Sequence, residues 1–410
     1  MEVLTRPTEN LEMELNRKLG PFEHLLWVVD QWTPRHFILV ARIEGSSISA
    51  ENLQAALSQC QRRHPILRAT IQVNDDGIPE FIPSSSPMGL TVVRRVNDTH
   101  WLQEVETQLA LPIEPGARPL LRVVLVQGEA VSELILVVHH AIGDGASAMY
   151  LVRDLLESME GHEVEELAPR PALEALLHRQ PTIPMSQRQP PEMSSGVAAR
   201  LDRPKNACLQ IFEIESGELD RILSRCRREG TTFQGALLSA LLLTLPREGT
   251  VSCLAPINVR KLLPNVTDDF GLYISSGMAT LDRNAMPDFW SLARSSRQQV
   301  VQAFDPRALH NKALAMALVV AGRPNPQTAY ERVWRNFGYS TVLTNLGRFP
   351  GTSELKRYRV TAAYPILSPE LEPVVAVATA DRRACITVCS PPELAARSSK
   401  FLDHLSRHAR

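Results

Sequence analysis

Apolar positions along the chain follow two periods, and the switch between them marks the elements. Leu134-Ile-Leu-Val-Val138 is an unbroken run of branched side chains, the pattern of a buried strand. His139-His140-Ala-Ile follows, then a Gly143-Asp144-Gly145 turn with a permissive backbone. Beyond the turn, Ala148, Leu151, Val152, Leu155 and Leu156 recur at helical spacing. The unit therefore reads strand, turn, helix, with two histidines at the end of the strand.

Upstream, Phe37–Ile43 predicts a strand. Ser49 is placed to cap a helix with Leu53, Ala56, Leu57 and Cys60 on one face. That helix is expected to stop at His64-Pro65, because a residue before proline is pushed out of the α region. Residues 67–73 read as extended, 75–77 as a turn and 99–110 as a helix. Residues 120–126 and 132–138 read as a hairpin leading into the two histidines. From 167 to 205 prolines cluster among Ser, Gln and Arg, broken by a helical patch at 173–177, and predict a linker.

This divides the chain into a lobe at 1–166 and a second at 206–410. In the second lobe, strands fit 209–214, 251–257, 272–278, 340–346, 357–363, 374–379 and 385–389. Helices fit 218–228, 232–245, 288–304 and 307–320, and a last one starts near Pro392. The stretch 232–245 is apolar all round and is expected to be buried. The class is α/β or α+β.

Composition narrows the function classes. The chain has 410 residues, 44% hydrophobic and 22% charged, with 44 basic and 45 acidic residues. A net charge of −1 argues against a large nucleic-acid footprint, which requires a clustered excess of Lys and Arg. No run approaches the roughly 18–20 apolar residues of a membrane span. Residues 1–10 lack the charged start and apolar core of a signal peptide, so the cytoplasm is the expected location. The six cysteines have no metal-knuckle spacing and are expected to be reduced, mostly buried thiols.

Three readings compete for His139, His140 and Asp144. A metal site is disfavoured, because adjacent strand residues point to opposite faces and no further ligand stands at useful spacing. Two satisfied core histidines are the bland alternative. The third reading makes His140 a general base, since a neutral imidazole near its pKa can take a proton from an attacking hydroxyl or amine. His139 then faces the other way. Asp144 either holds the imidazole as in a triad or fixes the turn by pairing with a distant arginine. No serine stands in a Gly-x-Ser-x-Gly elbow, so direct transfer is simpler than a covalent acyl-enzyme.

The run from His139 to Gly145 resembles the His-His-x-x-x-Asp-Gly signature of the chloramphenicol acetyltransferase-like superfamily. That group includes condensation domains of nonribosomal peptide synthesis and the polyketide-associated acyltransferases of mycobacteria. Four further stretches are similar to its motifs and occur in its order: Arg63–Arg68, Pro256–Arg260, Asp268–Tyr273 and Thr344–Phe349. The segment at Asp269–Gly271 lacks the tryptophan of the plant branch. No carrier or adenylation module is seen in the chain, so a free-standing, ester-forming acyltransferase is the expected type.

The resemblance implies two pseudo-equivalent lobes with a tunnel between them and His140 midway along it as base. It implies that Asp144 is a structural partner pairing with Arg260, and that Gly145 leaves backbone room near the reacting carbonyl. It also puts Thr344 and Asn345 on the second-lobe wall as substrate contacts. The co-substrate is an acyl-CoA or an acyl-carrier protein, and the acceptor is an alcohol or, less in keeping with the family branch, an amine. No metal or redox cofactor is expected. A catalytically degenerate member acting as a binding or docking module is the competing reading.

Overall fold

In the computed structural model the described residues are 15–114, 116, 118–177, 208–245, 249–285, 288–351, 354–367 and 372–409. The first half runs β1 (Arg17–Lys18), α1 (Pro21–Asp30), β2 (His36–Gly45), α2 (Ala50–Arg63), β3 (Ala69–Val73), β4 (Pro79–Pro83) and β5 (Gly89–Arg94). It continues with α3 (His100–Ala110), β6 (Leu121–Gln127), β7 (Val131–His139), α4 (Gly145–Met159) and the single turn α5 (Leu173–Leu176). The second half runs β8 (Cys208–Ile214), α6 (Ser216–Arg228), α7 (Phe233–Thr244), β9 (Thr250–Asn258), β10 (Ile274–Asp282), α8 (Phe289–Gln302), α9 (Pro306–Ala321) and α10 (Pro326–Phe337). It ends with β11 (Thr341–Arg348), β12 (Tyr358–Leu367), β13 (Val374–Ala380), β14 (Arg383–Ser390), α11 (Pro392–Ser398) and α12 (Lys400–Ala409).

The local signals behave as the chemistry requires. Ser49 accepts a hydrogen bond from the Asn52 N–H and caps α2, which ends at Arg63, two residues before Pro65. β6 and β7 form the expected hairpin, with Val126 opposite Glu133. Residues 134–138 are fully buried. In α7 the run Gly235–Leu242 is buried on every side. Strands β4 and β5 and helices α1 and α10 were not anticipated. All six cysteines are free, and burial pushes the Cys226 thiol up to about 11 and that of Cys389 to about 12.

Two sheets carry the fold. The first has the order β12-β2-β7-β6-β5 and the second β10-β9-β11-β13-β14-β8. The boundary at residue 206 is therefore not a clean division. β12 leaves the second half of the chain and pairs antiparallel with β2, Tyr364 opposite Val40. It is accepted there because β2 would otherwise present an open edge. The chain then returns at once to β13, in the middle of the second sheet, and this tethers the two sheets. The expected linker is partly described. Its first residues lie across the lobes, with Arg170 bonded to Asp269 and Leu173 packed in the second core. The remainder, 178–205, falls outside the described residues.

Candidate active site

β7 ends on His139, and His140 is the first residue beyond it; the two side chains part company as those of successive extended residues do. His139 is fully buried. Its Nδ1 accepts the Ala141 N–H at 3.1 Å and its Nε2 lies 3.4 Å from Asp30 Oδ2. His140 turns the opposite way, into a cavity of about 610 Å³ between the lobes. Its backbone N–H is held by the Arg35 carbonyl at 2.9 Å, and its ring lies 5.0 Å from that of Phe37.

The tautomer of His140 is decided by its partner. Nδ1 lies 2.9 Å from the Gly143 carbonyl, which can only accept, so Nδ1 carries the proton. The neutral ring then keeps a lone pair on Nε2. Burial pulls the imidazole pKa below its ordinary value, against the pull of Gly143 and Asp144, and keeps the ring unprotonated.

Asp144 does not hydrogen-bond this ring. It is the N-cap of α4, where Oδ1 accepts the Ser147 N–H at 2.9 Å. Its Oδ2 accepts Arg260 Nη1 at 3.0 Å and the Tyr273 N–H at 2.8 Å. Arg260 is buried, with its guanidinium 4.8 Å from the Tyr273 ring centroid and 5.7 Å from that of Tyr150. Its Nη2 donates to Ser147 Oγ at 2.6 Å, and Ser147 in turn donates to the Gly271 carbonyl at 2.7 Å. Of the two options open to Asp144, the geometry matches pairing with a distant arginine and not a triad.

The turn is held from the second lobe at three successive residues. Phe270 sits on Gly143, Arg260 holds Asp144, and Leu346 sits on Gly145. A Cβ built on Gly143 would lie 2.5 Å from Phe270 Cε1, and one on Gly145 would lie 2.5 Å from Leu346 Cδ2. The room beside Gly145 is thus filled by a leucine of β11. Thr344 and Asn345, on the same strand, line the cavity with His140.

A second clasp joins the lobes beside α2. Asp268 receives Arg63 Nη2 at 3.0 Å and Arg153 Nη2 at 2.5 Å. Partial burial would raise the Asp268 carboxyl, but hydrogen bonds from Arg153 and Thr267 hold it at about 2. His64 Nδ1 accepts the Phe270 N–H at 3.3 Å, and its Nε2 donates to Asp154 at 2.8 Å.

Several contributors were given no role by the sequence. Asp30, Phe37 and Ser147 reach the site through long-range packing, whereas Asn258, Phe270 and Leu346 lie inside the motif stretches 256–260, 268–273 and 344–349. Ser147, three residues after a capping aspartate, also had a local pattern that a search could use. Among the described residues no group of three His, Cys, Asp or Glu is placed to hold a metal ion. Among them, no helix is long and apolar enough to cross a membrane.

Comparison with known proteins agrees with this architecture. The family profile for the Condensation domain matches residues 26–174, which contain the whole strand–turn–helix unit. The chain has 96% coverage and a TM-score of 0.72 against the first condensation domain of the calcium-dependent antibiotic synthetase, at 15% identity and 96% of that chain. Against polyketide synthase associated protein 5 of Mycobacterium tuberculosis the TM-score is 0.66, at 15% identity, covering 96% of this chain and 97% of that one. Residues 26–174 thus resemble the Condensation domain, and the chain as a whole shares the fold of these solved structures.

Among curated relatives, it is 26% identical over 165 residues to surfactin synthase subunit 2 of Bacillus subtilis, which is 39% of this chain and 4% of that protein. It is 21% identical over 294 residues to bacitracin synthase 1 of Bacillus licheniformis, 66% of this chain and 6% of that protein. The chain therefore spans only a small part of these multidomain relatives. The shared architecture is the two-lobed α+β fold expected from the sequence.

Proposed function

We propose that this chain transfers an acyl group from a thioester, on coenzyme A or a carrier protein, to an alcohol, with an amine as the alternative acceptor. Condensation domains are acyl and peptidyl transferases, and the match to that domain supports a transferase reading. The observation that carries the finer reading is the His140 Nδ1 contact to the Gly143 carbonyl, which leaves a basic Nε2 in an interlobe cavity.

The acceptor hydroxyl gives its proton to His140 Nε2 as its oxygen attacks the thioester carbonyl. The tetrahedral oxyanion collapses with cleavage of the C–S bond, and the imidazolium returns the proton to the departing thiolate. The N–H of Gly145, in the first turn of α4, is the proposed oxyanion donor, aided by the positive end of the helix dipole. His139, Asp144 and Arg260 support the turn. Thr344 and Asn345 contact the substrate from the second lobe.

Incubating purified protein with a panel of acyl thioesters and alcohols tests this. Thiol release should depend on the alcohol and match ester formation, mole for mole, by mass spectrometry. Absence of turnover across the panel, together with tight carrier-protein binding, would favour a docking module instead.

A further inference from the structure

Among the described residues, the wall of the His140 cavity carries hydrogen-bond donors but no free charge. Of the described lining residues only His140 and Asp144 ionise, and both Asp144 oxygens are already engaged by Ser147, Arg260 and Tyr273. Two amides complete the polar lining with Thr344. Asn258 Oδ1 accepts the Arg260 N–H at 3.0 Å, and Asn345 Oδ1 accepts the Gly347 N–H at 3.0 Å. A backbone N–H can face only the oxygen of an amide, so in each case the NH₂ group is left to turn elsewhere. Neither NH₂ group has a partner among the described residues. The rest of the wall is hydrocarbon, with Phe37, Ile257, Leu346 and Pro365 prominent.

From this arrangement we infer that the site selects an uncharged acyl group, with a hydrocarbon chain and carbonyl oxygens facing Asn258 and Asn345, over an aminoacyl group. The inference rests on the reading of this cavity as the acyl site. A carbonyl meets two donors there, whereas an ammonium beside the reacting carbon meets no free carboxylate among the described lining residues. Placing a charge in such a wall without a partner costs far more than placing a methylene there.

The matched pair that isolates this feature is 4-methylpentanoyl-pantetheine and leucyl-pantetheine, which differ only in hydrogen against ammonium at the second carbon. At pH 7 the des-amino thioester should be used with a kcat/KM at least about 100-fold higher. Binding of the unreactive thioether analogues, measured by calorimetry, should show the same order whether or not transfer occurs.

Preferential binding of the des-amino analogue without turnover would leave the selectivity standing and remove the transfer reading. Equal or tighter binding of the leucyl analogue would overturn the selectivity alone. Asn258→Asp and Asn345→Asp keep the oxygen that accepts the backbone N–H and add a charge. In at least one of them the ratio should move toward the leucyl analogue by tenfold or more. A ratio unchanged in both folded variants would count against the assignment.

Discussion

Arg260 Nη1 reaches Asp144 Oδ2 at 3.0 Å across the lobe interface, with both side chains almost wholly buried. The pair is separated by 116 residues of sequence, yet it sits beneath the turn that carries His140. Removing one partner strands the other charge in a low-dielectric setting. Asp144→Ala is therefore expected to cost about 3–5 kcal/mol by denaturant titration. Arg260→Met in that background should restore part of the loss, and the coupling from the four-protein cycle should be non-zero. An Asp144→Ala protein of native stability but without activity would return the aspartate to a triad role.

His140 makes no contact on which the core depends, so its loss should be felt in rate. His140→Ala is expected to lower kcat by about 100- to 10,000-fold while the melting temperature stays within a few degrees. Its working form is neutral, and burial depresses its pKa, so kcat/KM should rise with pH and level off below the ordinary imidazole value of 6.5. An acid limb centred above that value would contradict the assignment, as would a variant with full activity.

The strand, the turn and the pair of histidines at the strand end were legible in the sequence because each rests on local physics. Residues 134–138 are apolar without a break, and Gly143 and Gly145 flank a capping aspartate. The direction of His139 and His140 follows from the two-residue period of a strand. What closes the site was not legible. Phe270, Asn258 and Leu346 lie in stretches that resemble family motifs, but their contacts to the turn and cavity exist only once the second lobe is folded against the first. The transfer of β12 to the first sheet is hidden for the same reason, since an apolar strand does not state which edge it will join. Arg63 and His64 carried a family resemblance but no role. Their contacts to Asp154 and Asp268 show them clasping the lobes together.

Gly145 tests how tightly that closure is built. A Cβ there would stand 2.5 Å from a methyl group of Leu346, so Gly145→Ala forces the Leu346 side chain, or the elements that carry the two residues, to shift. Overpacking of this kind costs about 1–3 kcal/mol and should also lower transfer activity by shifting the turn. Leu346→Ala in the same chain removes the clash, so the double variant should recover stability relative to Gly145→Ala. Failure to recover would place the requirement for glycine in the backbone of the turn and not in this contact.

Acid sensitivity should arise in the first lobe as well as at the active site. His36 is buried at the start of β2, opposite His139, and burial, with the Arg122 charge adding to it, lowers its pKa to about 4. Between about 6.5 and 4 the unfolded chain takes up a proton that the folded chain does not. Stability contributed by neutral His36 is therefore complete above about pH 6.5 and lost as pH falls toward 4. The full effect is on the order of 3 kcal/mol, at 1.36 kcal/mol for each pKa unit. Wild-type protein should unfold at lower denaturant concentration at pH 4.5 than at pH 7, and His36→Leu should reduce that difference. An identical pH dependence in the two proteins would assign the acid loss to other groups.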